Sequence, residues 1–239
     1  LAYTQVARSV VHEMFALYER CYDAVNQADF ESDLAQKNWV LLLYADDAVV
    51  GFSTVDARGL VYEGQNILEV FSGDTVIAPE YWGMQLLSTG FAQLAGFLAY
   101  QNPTHAVYWL LISKGYRTWR YLPLFARAYW PNHALPTPAP QKNLQDFLAK
   151  RRFGAHYNAE RGVVQFEHSH GHLQADLAGV RAHLLQKPEI EFFFNQNPGY
   201  AQGDELVCLT RLHPDNLRGV VLRGFNEGWQ EALAGHGTQ

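Results

Sequence analysis

The sequence predicts an α/β fold: a mixed, mostly antiparallel sheet flanked by helices, followed by a C-terminal α+β extension. Three observations carry this. Residues Ile67 to Trp130 read strand, tight turn, helix, strand, helix, as ILEVFSGDTVIAP, EYWG, MQLLSTGFAQLAGFLAY, AVYWLLIS and KGYRTWRYLPLFARAYW. Upstream, NWVLLLYA and AVVGFSTV flank Asp46-Asp47, the pattern of a hairpin. Downstream, Pro131, Pro136, Pro138 and Pro140 crowd one short stretch, which neither a helix interior nor a central strand tolerates. The predicted organisation is a core over 1–132, a proline-rich connector over 133–142, and an extension over 143–239 packing on the core.

The remaining elements follow from periodicity and turn residues. Val6, Val10, Met14, Leu17 and Cys21 recur at helical spacing and predict a helix from Thr4 to Asn26. Arg58-Gly59 predicts a turn, with a third strand over Leu60 to Tyr62. Past the connector, the pattern predicts a basic helix from Asn143 to Phe153 and a short strand from Gly162 to Glu167. A helix from Leu173 to Leu185 is stopped by Pro188. The run EIEFFFNQNPGYAQGDELVCLTRL predicts two strands around a turn at Asn197, Pro198, Gly199 and Gly203. Leu217 to Leu233 closes the chain as a helix. No internal repeat recurs at a fixed period.

Composition narrows the function classes. Of 239 residues, 48% are hydrophobic and 14% aromatic, enough for a sizeable core and for aromatic-walled pockets. The formal net charge is -6, and Lys150-Arg151-Arg152 is the densest basic cluster. A phosphate-tracking surface needs more, so nucleic acid is excluded as an expected partner. Cys21 and Cys208, far apart, argue against a disulfide scaffold and for a reducing compartment. No signal peptide and no membrane span are visible, and a cytoplasmic location is expected.

An apolar strand that turns directly into an amphipathic helix presents unpaired backbone N–H groups at the helix start, a ready anion site. The order β-turn-α-β-α, with VIAPEYWG at the turn, resembles the central motif of the GNAT superfamily of acyl-CoA-dependent N-acyltransferases. The resemblance covers about residues 1–132 and does not explain the extension. It implies acyl transfer from a thioester, carried by coenzyme A or an acyl carrier protein, to the amine of a small molecule, with no metal. Val76 and Ile77 match the strand end, Gly83 the first glycine of the turn. Trp82 replaces the usual Arg or Gln, and Gln85 stands at the second glycine. Donor contacts are expected from Val76, Ile77, Trp82, Gly83, Met84, Gln85, Ser113 and Lys114. The partly lost glycines leave room for a carrier-protein donor or a longer acyl chain, with the aromatic-rich extension as a wall for a long-chain pocket.

The resemblance further implies a tyrosine acid after the second strand and a carboxylate base on the first. Tyr116 occupies the acid position, with Tyr121 and Tyr108 as rivals; a phenol suits a departing thiolate because their pKa values lie close. Trp119, Leu122, Phe125 and Tyr129 recur at helical spacing, so core packing competes for these aromatics. Glu69 and Asp74 are the base candidates, since a carboxylate in an apolar strand is costly unless paired or functional. For Asp74 the alternative is a bulge at Ser72-Gly73-Asp74. Two other function classes stay open: a GNAT-fold binding module without catalysis, and a metalloenzyme using His168, His170 and His172, with Glu167 or His156 to complete the ligand set. The second is opposed by the absence of a ligand set fixed by spacing, and a solvated histidine turn is the alternative.

Overall fold

The computed structural model of the chain describes residues 1–166, 172–174, 184 and 186–236. A 3-10 turn at Tyr3–Gln5 leads into α1 (Arg8–Glu19). The helix expected to continue to Asn26 breaks: β1 (Tyr22–Asp23) is extended and Ala24 has φ 56°. Asn26 then caps a separate α2 (Gln27–Leu34), its Oδ1 accepting the N–H groups of Ala28 and Asp29 at 2.8 and 3.2 Å.

β2 (Trp39–Ala45) and β3 (Ala48–Tyr62) form the expected hairpin, with Asp46 and Asp47 at φ 48° and 66°, the two positive angles that a tight hairpin turn requires. The turn expected at Arg58-Gly59 does not occur. β3 runs through it, Gly59 pairs with Leu68, and the chain reverses at Glu63-Gly64, where φ is 47° and 78°. β4 (Gln65–Ile77) follows, then a 3-10 turn at Pro79–Tyr81, α3 (Leu86–Gln101) and β5 (Ala106–Ser113).

The single helix expected over Lys114–Trp130 is two short pieces, α4 (Tyr116–Trp119) and α5 (Tyr121–Phe125), ending in β6 (Tyr129–Trp130). α6 (Ala139–Phe153) begins inside the expected connector, because Pro140 sits in its first turn, where no N–H is needed. Next come β7 (Tyr157–Asn158), β8 (Val163–Val164) and β9 (His172–Leu173). Leu173 is thus in a strand; most of the helix expected from it to Leu185 lies outside the described residues. EIEFFFNQ, expected as a strand, is α7 (Pro188–Gln196): Pro188 starts it, and Glu189 and Glu191 suit the positive end of its dipole. β10 (Glu205–Arg211) and α8 (Gly219–His236) complete the chain.

Among the described residues the main sheet has eight strands in the order β2-β3-β4-β5-β10-β8-β7, with β6 beside β10. β4 and β5 are parallel and joined by α3; every other pair is antiparallel. Strand alternation sorts the side chains to two faces. Val107, Trp109, Leu111, Leu206 and Cys208 join the core under α3 and α8. Leu110, Val207 and Leu209 join Leu144 and Leu148 of α6 on the other face. Met14, Phe30, Phe52 and Val76 form a third core with α1 and α2. No helix among the described residues is long and apolar enough to cross a membrane.

α3 and α8 cross at backbone contact. A methyl group at Gly96 would lie 1.9 Å from the Phe225 carbonyl oxygen, and one at Gly228 would lie 1.9 Å from that of Gln93. The glycines are needed for the approach itself. The crossing fixes the C-terminal helix against the helix that leads out of the β4 turn.

Candidate active site

The sheet opens at the end of its parallel pair. β4 and β5 pair from Ile67↔Ala106 to Ser72↔Leu111, and beyond Ser72 the two strands part while β4 continues to Ile77. A cleft of about 670 Å3 enters this opening. Gly73 to Ile77 line one side, and Ile112 with Lys114 to Thr118 line the other. Tyr18, Tyr22 and Phe30 from the N-terminal helical region, and Glu205 from β10, close its floor.

A bulge decides what faces the cleft. Across β3 and β4 the register steps from Ser53↔Thr75 to Val55↔Ser72, so β4 carries one extra residue. Side-chain alternation therefore shifts by one. Ser72 and Thr75 both face α3, while Asp74 faces α1 with Val76. Gly73 permits the bulge: a methyl group there would stand 2.5 Å from Thr54 Oγ1 and 3.0 Å from Lys37 Cε.

Asp74 lies in a cluster of charges drawn from four elements. The Tyr18 hydroxyl donates to its carboxylate. Lys114 Nζ reaches Glu205 Oε1 at 3.6 Å, and Lys37 Nζ reaches Asp33 Oδ1 at 2.6 Å. Lys114 also sits 5.4 Å from the centre of the Tyr22 ring. Burial pushes the Asp74 carboxyl above the usual aspartate range, and Asp33 adds to this; Lys114, Lys37 and Tyr18 oppose it. The Glu205 carboxyl is raised as well, by burial, with Lys114 opposing and Asp74 adding. Burial also raises Tyr18 and Tyr22 far above an ordinary phenol. A desolvated carboxylate with a raised pKa is a stronger base than one in water, and it becomes useful nearer neutral pH.

A parallel β-α-β unit whose strands splay where the helix turn begins is the architecture expected from the sequence. The fold is a mixed, mostly antiparallel sheet flanked by helices, as the sequence predicts. No family model and no curated protein matches the chain. Among solved structures it is similar to a conserved protein of unknown function from Enterococcus faecalis V583, described as a probable N-acyltransferase. That likeness has 18% identity and TM-score 0.39, over 52% of this chain and 31% of the other. It is also similar to a GCN5-related N-acetyltransferase from Kribbella flavida, at 11% identity and TM-score 0.38, over 95% of this chain and 60% of the other. The chain spans less than two thirds of the length of either.

The structure brings most of the sequence candidates to this cleft. Tyr116 is buried and lines it, with the Arg117 guanidinium 5.0 Å from its ring centre. Tyr121 lines it too; burial raises its phenol, with a Ser88 hydrogen bond opposing. Val76, Ile77, Trp82, Gly83 and Lys114 also line it. Trp82 is pinned by its indole N–H, which donates to the Ile77 carbonyl at 2.8 Å, and Arg117 covers its ring at 4.4 Å. Met84 and Gln85 are exposed outside the cleft lining, and Gln85 precedes α3 without capping it through its side chain. Ser113 is buried and donates to the Gly115 carbonyl at 2.7 Å.

Two of the acid and base candidates sit elsewhere. Tyr108 lies on β5 opposite Glu69 and packs in the α6 core. Glu69 is buried at 2% exposure outside the cleft lining, and Arg152 Nε contacts its carboxylate at 2.5 Å. The same guanidinium reaches Asp56 at 2.9 Å, and Arg58 Nε reaches Asp56 at 2.7 Å, so two arginines balance the two buried carboxylates. Glu69 balances a buried charge where it stands. Cys208 is fully buried and its thiol is raised by desolvation, which disfavours the thiolate a nucleophile needs. Glu167, His168 and His170 lie outside the described residues, as does the His172 side chain. Among the described residues no group of three or more His, Cys, Asp or Glu is placed to hold a metal.

Sequence reasoning missed Tyr18, Tyr22, Lys37, Asp33 and Glu205. Tyr18 and Tyr22 carry one faint signal, two tyrosines four apart at the end of an amphipathic helix. Nothing local marks Glu205, which enters the cleft only because β10 pairs with β5.

Proposed function

We propose that the protein transfers an acyl group from a thioester donor to the amine of a small molecule. The observation that supports this most is the cleft through the splay. It presents a desolvated carboxylate, Asp74, on the α1 side and a buried tyrosine, Tyr116, at the start of α4, just after the strand that parts from β4. The amine loses its proton to Asp74 and attacks the thioester carbonyl. A C–N bond forms and the C–S bond breaks, and the departing sulfur takes a proton from the Tyr116 hydroxyl. Amide and thiol are the products; Asp74 releases its proton to solvent and Tyr116 takes one back, which restores both groups. Catalysis otherwise rests on holding the two reactants in line within the parted strands.

The residues present fit acyl-CoA as the donor. The cleft volume lies within the range of small-ligand sites, about 300–1,000 Å3. Gly83 has φ 96°, and a methyl group there would meet no atom within 4 Å, so the turn leaves open space rather than a filled cradle. The N–H groups at the start of α3, with Arg117 beside Trp82, would hold the anionic part of the donor. Coenzyme A supplies the thioester; an acyl carrier protein presents the same thioester arm.

The test is transfer itself. A panel of primary amines with acyl-CoA and acyl-carrier donors, read by mass spectrometry, is expected to give an amide product with the wild-type chain. Tyr116→Phe removes one oxygen and little volume, so the fold survives. Turnover is expected to fall about 10- to 100-fold with donor affinity unchanged, because thiolate is already a fair leaving group. Unchanged turnover there, with Tyr121→Phe inactive, would move the role to Tyr121. No amide from any pair would leave the acyltransferase reading without support.

Gly83→Asp places a like charge and a disfavoured backbone angle at the anion approach. Donor affinity by calorimetry is expected to fall roughly 10-fold below that of Gly83→Ala, which shares the strain but adds no charge. Equal affinities would remove the turn from the donor site.

A further inference from the structure

A second, smaller cavity adjoins the cleft on the opposite face of the sheet. It measures about 40 Å3 and lies between β4, β5, α3, α5 and α8. Thr75, Thr118 and Tyr121 line both spaces and form the neck between them. The bulge in β4 creates this link, since it turns Thr75 toward α3 while Asp74 faces the other way.

Most of the polar side chains around the cavity have hydrogen-bond partners. Trp109 Nε1 donates to Ser72 Oγ at 2.8 Å. Ser53 Oγ and Thr75 Oγ1 share a hydrogen bond of 2.8 Å. Thr210 Oγ1 donates to the Ala128 carbonyl at 2.8 Å, and Tyr121 bonds Ser88. What faces the space is Leu87, Phe91, Leu111, Leu122, Leu217 and Val221. A lining of this kind favours an aliphatic group over water or a polar ligand. One water-sized group needs about 10–15 Å3 on this measure, so the cavity holds roughly two or three methylene-sized groups. Its far wall is set by α8, whose place is fixed by the backbone contact at Gly96 and Gly228.

We propose that this side cavity receives the tail of the donor's acyl group and limits it to about three or four carbons, with Val221 of α8 as the size gate. The carbonyl stays in the neck, at the splay, and the tail turns through the sheet toward α8. The C-terminal segment thus selects a short, branched or linear, aliphatic acyl group. It does not wall a long-chain pocket. The proposal rests on the thioester-donor reading above.

Non-reactive coenzyme A thioethers test it without knowledge of the acceptor. S-methyl, S-propyl, S-butyl, S-hexyl and S-dodecyl coenzyme A are titrated into the wild-type chain by calorimetry. Affinity is expected to rise about three- to four-fold per carbon up to propyl or butyl, as for burial of a methylene, and then to level or fall. Val221→Ala is expected to move the optimum up by one or two carbons, and Val221→Leu to move it down to methyl. Thermal melts confirm that both variants fold. If one does not, the wild-type series and the other variant still decide. Binding of coenzyme A with no dependence on chain length, or an optimum at dodecyl, overturns this inference alone. Failure of coenzyme A and every thioether to bind overturns coenzyme A as the donor and this inference together.

Discussion

Asp74→Asn is expected to lower turnover about 10²–10⁴-fold while leaving donor affinity intact, as removal of a general base does. The amide keeps the size and the hydrogen bond from Tyr18 but cannot take a proton. The wild-type pH–rate profile should also bear the mark of this group. Its carboxyl is raised by burial, so the acidic limb should lie at higher pH than an ordinary aspartate would set. The same shift has a consequence for stability, with a definite sign. A carboxyl whose folded pKa exceeds its unfolded pKa favours folding fully below the unfolded value, and that contribution declines as pH rises through the folded value. Above the folded value the ionised Asp74 therefore costs stability, and Asp74→Asn should be more stable than wild type there. The difference should shrink as pH is lowered through the folded value. Denaturant unfolding at a series of pH values checks it. An inactive variant that is also less stable across the whole pH series would place Asp74 in a structural ion pair instead of the chemistry.

Gly228→Ala is expected to destabilise the protein by about 3 kcal/mol or more, at the upper end of overpacking effects. The added methyl would meet the Gln93 carbonyl, a backbone atom that cannot swing aside. The helices must separate, and the cores beneath both lose contact. Gly235, also on α8, has open space around it and serves as the control, since alanine there should be neutral or slightly stabilising. Urea midpoints of the two variants would separate by about 1 M or more on this account. Equal midpoints would mean that the α3–α8 crossing is looser than drawn.

The core motif was legible because its signals are local. β5 is bounded at Ala106 and Ser113 as AVYWLLIS reads, and the Asp46-Asp47 hairpin announces itself by turn chemistry. Tyr116 and Gly83 follow from their order along the motif. Errors arose where two local signals competed. Arg58-Gly59 looks like a turn, yet Glu63-Gly64 supplies the two positive φ angles and wins. EIEFFFNQ has the composition of a strand, yet Pro188 and the acidic first turn commit it to a helix. The partners of Asp74 were illegible for another reason. Lys37, Tyr18 and Glu205 meet it across long separations in the chain, and only β10 pairing with β5 brings Glu205 near. Glu69 and Asp74 read alike in the sequence. The bulge and the α6 arginine tell them apart.

The place of β10 bears on how the chain comes to fold during its synthesis. β5 is central in the finished sheet, but its second neighbour is made about a hundred residues later. Until Glu205–Arg211 leaves the ribosome, the edge of VYWLLI stays open, apolar and able to pair with any passing strand. Such distant pairing slows folding and lengthens exposure to aggregation. A nascent chain halted after the proline-rich stretch holds the whole turn motif and none of the strand that completes it. Its successful assembly should therefore depend on what shields that edge in the interval, and a chain released early should be found with chaperones or in the pellet.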